Sequence, residues 1–387
     1  MNGPEERDRN VSSFVFANKT RIVILLLSMF CFTVTQSNAI TVNFTVICMN
    51  DVIEIQKDNS SEPHWLEVNS DVSLLFSATA VCSLIEVLPS VQVLDRFGIR
   101  KVVTSYAMIS GVGTLLFPFT VSIGLYATMV ARLMQGVGIS LIFTSMGAVS
   151  QSWSAMSELS TYMYLAFISI SLQLSSIITM PLAGFLCESS LGWRWLYYIL
   201  GCTTIASHIV FYFFFSDSPE IHRNVSQKEL RKISTGKSQQ AIKSVPYRAI
   251  CSDKTILGIW LTAWGSYGYA RERNVLGVAV KFVAGPLSDY ATCISETIRI
   301  IFFAAVSQLA MAVAFLVSSF TSDVLTAQSA YTTAICLSGI NIVGTIKCAQ
   351  LRARQYVHFV MAVISLFACC CNFILPIVVG IMCPDNT

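Results

Sequence analysis

Long apolar segments recur along this chain of 387 residues, and their length constrains the fold more than any other sequence feature. A bilayer core about 30 Å thick takes roughly 20 helical residues to cross, and unpaired backbone amides are too costly in hydrocarbon. Spans of this length are residues 22–43, 72–94, 102–123, 125–149, 159–186, 193–215, 298–318, 324–346 and 356–382. A hydrophobic content of 54% and a mean hydropathy of +0.64 also exceed what a soluble globule can bury. The sequence therefore predicts an all-α, polytopic membrane protein.

The spacing of these spans predicts four regions. Residues 1–21 form a cytosolic amino-terminal tail, and residues 22–215 form a first group of six helices. Residues 216–255 form a polar, basic cytosolic loop in which no packed core is expected, and residues 256–387 form a second, incomplete group. The first apolar run is too long for the core of a secretory signal, so we expect it to be a retained helix.

The distribution of lysine and arginine predicts the orientation, because basic loops are retained in the cytosol. The amino terminus, residues 94–101, the central loop and residues 347–354 are basic and should be cytosolic. Residues 50–70 carry Lys57 against five acidic side chains and should lie outside the cell or in a lumen. The sequon at Asn59 falls in this loop and is a glycosylation candidate, although such a short motif also arises by chance.

The cysteines and histidines give no sign of a metal site. Most of the 13 cysteines lie within apolar runs, so we expect small buried side chains rather than disulfides. His208 stands alone in an apolar span and should be packed or bonded to a carbonyl group. There is no phosphate-binding loop, which leaves ATP-driven pumping without support. No cofactor, enzymatic activity or nucleic-acid partner is predicted.

The charged stretch LDRFGIRK, residues 94–101, lies between two apolar spans. It resembles the loop between the second and third helices of the major facilitator superfamily, usually G-x-L-A-D-R-x-G-x-R/K. The matching residues are Asp95, Arg96, Gly98, Arg100 and Lys101, whereas Val91 stands where the family has glycine. In AGPLSDY, Gly285 and Asp289 repeat the pattern, as expected for a duplicated six-helix half. The resemblance implies a cytosolic gate latch centred on Asp95, and the alternative is an ordinary basic loop.

Three further stretches support a narrower resemblance, to the anion:cation symporter branch and to its nematode-type members. They are ARLMQGVGIS (131–140), residues 180–201 and residues 338–365. The branch includes sialin, sodium-phosphate cotransporters and vesicular glutamate transporters. The resemblance implies transport of a small anionic solute driven by Na⁺ or H⁺, in the plasma membrane or an endolysosomal or vesicular membrane.

Arg132, Gln135 and Glu86 are the candidate substrate or coupling residues. An ionised arginine inside a bilayer costs about 2.5–3.5 kcal/mol on insertion scales, so Arg132 should face a cavity or a partner. Its planar fork suits carboxylate or phosphate, and the alternative is a structural arginine bonded to helix carbonyls. Glu86 could carry a coupling proton, pair with Arg132 or simply reach water near the cytosolic end of its helix.

Departures from the branch pattern leave two hypotheses open. Ala39 replaces an arginine of the first helix, Phe76 a histidine of the second and Ile139 an acidic residue, which puts organic-anion selectivity in question. Where the family has helices seven and eight, residues 256–270 and 275–287 are each too short to span, and the chain stops before a twelfth helix. The sequence therefore predicts either a secondary transporter or a transport-dead truncated isoform or gene model of one.

Overall fold

The structure is a computed structural model. It describes Phe16 and residues 18–59, 64–154, 158–234, 250–253 and 357–382, with isolated positions between 256 and 326. The principal helices within these ranges are α1 (Thr20–Ile40), α2 (Val42–Thr45), α3 (Asn50–Asn59), α4 (Asn69–Phe97), α5 (Ile99–Ile123), α6 (Leu125–Trp153), α7 (Glu158–Glu188), α8 (Arg194–Phe214), α9 (Gln227–Ser234) and α10 (Val357–Met382).

Seven of the described helices are long and apolar enough to cross a membrane, namely α1, α4 to α8 and α10. Each of the six spans predicted before residue 216 corresponds to one of them, and the span predicted at 356–382 corresponds to α10. Most of the predicted spans 298–318 and 324–346, and most of the two short fragments, lie outside the described residues. The all-helical, polytopic fold class is confirmed.

Single glycines connect α4 to α5 and α5 to α6. Gly98 has a φ of 83° and Gly124 a φ of 140°, values that L side chains rarely adopt, so each glycine lets one residue reverse the chain. Such short connections make neighbouring helices antiparallel, and α5 packs closely against α6.

Ends of several helices meet on one face of the bundle, which we call the motif face. It holds the start of α1, the α4–α5 junction, the residues after α8 and the start of α10, all joined by polar contacts. The opposite face, which we call the disulfide face, holds Cys48 and Cys187. The segments predicted to be cytosolic from their basic residues thus supply the described parts of the motif face.

The residues after α8 correct one expectation. Residues 216–234 were predicted to lack a packed core, but Val225 and Ile233 join the buried apolar cluster that contains Trp153 and Phe215. The sequence Ser226-x-x-Glu229 is a capping-box pattern, and the Glu229 backbone N–H donates to Ser226 Oγ at 3.2 Å. This cap starts α9, whose apolar side chains then pack on the bundle.

Candidate functional site

Arg132 lies at the junction of α1, α4 and α6 and is 2% exposed. Its Nη1 donates to the carbonyl oxygen of Ala39 at 2.9 Å and to Gln135 Oε1 at 2.6 Å. Its Nε donates to the carbonyl oxygen of Leu75 at 3.4 Å, and its Nη2 donates to Thr79 Oγ1 at 3.4 Å. One guanidinium group therefore bonds to three helices at once.

Gln135 orients the guanidinium group. It is fully buried, and its Nε2 donates to Thr114 Oγ1 of α5 at 3.2 Å while its Oε1 accepts from Arg132. Sequence analysis named Arg132 and Gln135 as separate candidate residues, and the structure brings the two side chains into direct contact. Ala39, which replaces the arginine of the branch pattern, supplies its carbonyl oxygen to Arg132 instead.

The two glycines that follow Gln135 allow α6 to approach its neighbours. A Cβ atom on Gly136 would lie 2.5 Å from the carbonyl oxygen of Thr79, and one on Gly138 would lie 2.8 Å from side-chain atoms of Ser110 and Thr35. Small residues allow this close approach of helix backbones in membrane bundles. In the R-x-x-Q-G-x-G pattern, Arg132 and Gln135 therefore supply the buried polar contacts, and Gly136 lets α4 pack closely against α6 beside them.

Arg132 lies toward one end of α6 rather than at its middle. It lies seven residues after Leu125, where α6 begins near the disulfide face. This is about 10 Å along the helix axis, so the charge is in the third of the span nearest to that face. The sequence pattern assigned Arg132 to a membrane-spanning helix but did not predict its depth in the bilayer.

Glu86 and Arg132 have different hydrogen-bond partners. Glu86 is half-buried on α4, and its Oε2 accepts a hydrogen bond from the hydroxyl group of Tyr106 on α5 at 3.0 Å. The contact lies in the motif-face half of α4, eleven residues before Phe97 where that helix ends. Glu86 and Tyr106 thus form a polar contact separate from the Arg132 junction.

On the motif face, Asp95 contacts α10. Its Oδ1 lies 3.7 Å from His358 Nε2, which is an ion pair when the imidazole is protonated. His358 is 7% exposed, and its Nδ1 lies 3.2 Å from Gln151 Oε1 on α6. A Cβ atom on Gly147 would lie 3.0 Å from His358 Cα, so α10 packs directly on α6 at this level.

Gly98 and Arg100 contact a residue that sequence analysis did not single out, Asp217. A carboxylate oxygen of Asp217 accepts from the backbone N–H of Arg100 at 2.8 Å, in the first turn of α5. A Cβ atom on Gly98 would lie 2.5 Å from the same carboxylate group, so glycine leaves room for it. An acidic group here interacts favourably with the positive end of the helix dipole.

The remaining motif residues lie at the surface or outside the described residues. Arg96 and Lys101 are exposed, with the Arg96 guanidinium 5.6 Å from the Phe97 ring centre, and Arg100 covers the ring of Tyr212 at 4.9 Å. The second copy of the motif, with Gly285 and Asp289, lies outside the described residues. Asn59 is the last residue of α3, and its side chain is not described.

His358 and Asp217 were missed because their roles depend on tertiary contacts. Asp217 follows α8 by three residues, and only the fold brings it to the start of α5. His358 is one of four histidines in the chain, and no local pattern marks it. His208 is fully buried with its Nδ1 2.9 Å from the Thr204 carbonyl oxygen, as predicted.

The cysteine prediction was wrong for one pair. Cys48 and Cys187 form a disulfide that joins the segment after α2 to the last turn of α7. Next to it, Asp51 accepts a hydrogen bond from Trp193 Nε1 at 2.9 Å and pairs with Arg194 at 2.8 Å. Both cysteines lie just beyond the ends of predicted spans, 22–43 and 159–186, and no local pattern distinguishes them from the cysteines inside the apolar runs.

A bundle of apolar spans with buried polar junctions and a charged, glycine-containing loop on one face defines a polytopic membrane protein. A model of the Major Facilitator Superfamily matches residues 22–271, more than half of the chain. The chain belongs to this superfamily.

Its relatives by sequence come from the branch predicted above. The uncharacterized transporter slc-17.3 of Caenorhabditis elegans is 28% identical over 193 residues, which cover 48% of this chain and 36% of that protein. Sialin of Ovis aries is 22% identical over 269 residues, covering 64% and 53%. Human sodium-dependent phosphate transport protein 1 is 24% identical over 271 residues, covering 60% and 56%. The chain thus spans between about a third and just over half of the length of these relatives.

A similar solved structure supports the fold independently. The proton:xylose symporter XylE from E. coli superimposes with a TM-score of 0.70 at 13% identity, covering 95% of this chain and 90% of that one. At this level of identity the similarity shows the fold alone, and that fold is the major facilitator fold. The chain is therefore an integral, multi-pass membrane protein.

Proposed function

We propose that this chain is a secondary transporter of small organic or inorganic anions, driven by Na⁺ or H⁺, that works by alternating access. The observation that carries the proposal is the buried, permanently ionised guanidinium group of Arg132 at the junction of α1, α4 and α6. A charge in this environment is costly, and such residues usually serve transport pathways. The name of the human phosphate transport relative is consistent with an anionic solute.

The role proposed for Arg132 is to attract the anion or to couple its binding to helix movement. Its fork already donates to oxygen atoms on different helices, and carboxylate or phosphate oxygens suit the same donors. Exchange of a helix oxygen for a substrate oxygen would loosen α1 from α6 or α4 from α6. Gln135 would hold the guanidinium plane during the exchange.

Glu86 is the proposed site for a coupling proton. Its carboxylate is half-buried in a membrane-spanning helix, and the hydrogen bond from Tyr106 fixes its position between α4 and α5. Protonation would remove a charge between α4 and α5. If Na⁺ is the coupling ion, the Glu86 carboxylate has no such role. The effect of replacing Glu86 on uptake therefore distinguishes coupling to H⁺ from coupling to Na⁺.

The test is uptake by the 387-residue chain reconstituted in liposomes, with phosphate, glutamate and sialic acid offered separately under a Na⁺ gradient or a pH gradient. We expect uptake of at least one anion under one gradient and none without a gradient. If the pH gradient drives uptake, Glu86→Gln should abolish net uptake while leaving exchange of labelled for unlabelled substrate. Absence of uptake under every condition, with uptake by a longer transcript of the same gene, would instead favour the transport-dead isoform.

The motif face is the proposed gate latch. Asp95 touches the first turn of α10, and Asp217 holds the start of α5, so acidic groups connect the α4–α5 junction to elements on either side of it. The contact between Asp95 and His358 must break if α10 is to move away from α4, whereas the Asp217 contact holds the start of α5 to the residues after α8. The latch would therefore influence which side of the transporter is open.

Replacement of Gly98 by alanine tests the latch. The positive φ costs about 1–3 kcal/mol for a side chain, and the new methyl group also displaces Asp217 from the Arg100 N–H. We expect a lower unfolding temperature and a lower initial rate of uptake. The control is Gly192→Ala, since Gly192 has a φ of 75° with nothing within 4 Å of the added Cβ. Equal losses of uptake in the two variants would show that strain alone matters and would refute the latch.

A further inference from the structure

The short helix α9 is fixed to the first turn of α1 by a buried carboxylate group. Glu229 is 1% exposed, and its Oε1 accepts from the backbone N–H of Arg21 at 2.8 Å. Thr20 Oγ1 donates to the carbonyl oxygen of Asn224 at 2.8 Å. Because the first backbone N–H groups of a helix have no partner within it, Glu229 supplies a cap for α1 from another segment.

The opposite side of this segment is basic and exposed. We call it the basic surface, and its members are Lys19, Arg223, Lys228, Arg231 and Lys232. Ile221 is 78% exposed in the same segment, two residues before Arg223. The apolar side of α9 is already covered, since Ile233 is buried in the bundle core. Five basic side chains and the exposed isoleucine therefore lie at the surface, with an exposed acidic side chain, Glu220, beside them.

The position of the basic surface relative to the membrane follows from the helices beside it. Ile22 and Leu26 of α1 are 41% and 53% exposed, and Phe213 at the end of α8 is 80% exposed. Such apolar side chains on membrane-spanning helices face lipid tails. Ile22 is within one helical turn of Lys19, and Phe213 is ten residues before Arg223. This spacing places the basic side chains at the depth of the lipid headgroups.

We propose that the basic surface binds the headgroups of anionic phospholipids in the leaflet that contacts the motif face. The inner leaflet is negatively charged, and each lysine or arginine near such a surface strengthens binding several-fold. Phospholipid bound here holds α9, and through Glu229 it holds the start of α1, the same helix that offers the Ala39 carbonyl oxygen to Arg132. The inference does not depend on the chain being an active transporter.

The test is a lipid titration of the full chain in phosphatidylcholine nanodiscs, with short-chain phosphatidylserine as the probe and the unfolding temperature as the readout. Phosphatidylserine should raise the unfolding temperature in a saturable way, and 0.5 M NaCl should weaken the effect. The combined variant Lys228→Gln, Arg231→Gln, Lys232→Gln should weaken binding about 100-fold, since three charges are lost. Lys228→Arg with Lys232→Arg should bind like the original chain.

A matched control removes three positive charges elsewhere on the predicted cytosolic side, with Lys347→Gln, Arg352→Gln and Arg354→Gln. This control should keep most of the phosphatidylserine effect. The proposal is overturned if the α9 variant responds to phosphatidylserine like the original chain, or if both triple variants lose the response equally. It is also overturned if inorganic phosphate or inositol hexakisphosphate reproduces the stabilisation, because the surface would then bind soluble anions.

Discussion

Anion uptake by the Arg132→Met variant is expected to fall about 100-fold or more, while the folded protein is still recovered from the membrane. Methionine fills much of the buried volume but removes the charge and the fork that bonds to Ala39, Leu75 and Thr79. Loss of one partner from a buried charged contact typically costs about 2–5 kcal/mol in binding, enough for this decrease. Initial uptake rates in liposomes, divided by the amount of monodisperse protein, measure the effect.

Two further variants separate a transport role from a structural one. Arg132→Lys keeps the charge but cannot donate to several helices in one plane, so we expect partial uptake with a raised KM. Arg194→Gln is the control, because Arg194 forms an exposed pair with Asp51 on the disulfide face, and exposed pairs contribute about 0–1 kcal/mol. If Arg132→Met unfolds at a much lower temperature and its remaining folded fraction transports normally, Arg132 only holds the helices together.

Removal of the disulfide is expected to have the largest effect on stability. Cys48 and Cys187 are 139 positions apart, and a crosslink over so long a segment restricts the unfolded chain strongly. The Cys48→Ser, Cys187→Ser variant should lose about 2–5 kcal/mol of unfolding free energy, measured by denaturation in detergent with and without reductant. The control is Cys202→Ser, since Cys202 is a free, exposed cysteine. An unchanged unfolding midpoint in the double variant would contradict the prediction.

The same disulfide tests the orientation of the bundle. Disulfides persist in oxidising compartments, so the disulfide face should be extracellular or lumenal. A membrane-impermeant reductant applied from that side should expose Cys48 and Cys187 to an impermeant thiol label. Labelling from the cytosolic side alone would reverse the orientation deduced from the basic loops.

The spans could be predicted from sequence because the bilayer imposes a minimum length on any apolar helix, whatever its neighbours. The buried polar contacts could not be predicted in the same way. Arg132 was recognisable as a costly charge. Its partners Ala39 and Leu75 contribute backbone carbonyl oxygens, which every residue has, so their side chains do not identify them as partners. Glu86 was weighed as its partner, and the structure gives Glu86 a bond from Tyr106.

Contacts between segments distant in sequence account for the other misses. Cys48 and Cys187 have the composition of buried apolar residues, and only the meeting of α2 and α7 near one face reveals them as a pair. Asp217 is one acidic residue in a polar loop until the fold brings it to Gly98. For α9 a usable local signal existed, the Ser226-x-x-Glu229 pattern, and the polar composition of the surrounding loop obscured it.

The cap that Glu229 places on α1 has a mechanical consequence. A helix held at its first turn by the segment that follows the first six spans cannot tilt or slide alone, and must carry that segment with it. From Arg21 to Ala39 the helix is roughly 27 Å long, and its far end reaches the guanidinium group of Arg132. A force that acts on the residues after α8 at the motif face is therefore transmitted along α1 to the guanidinium group of Arg132.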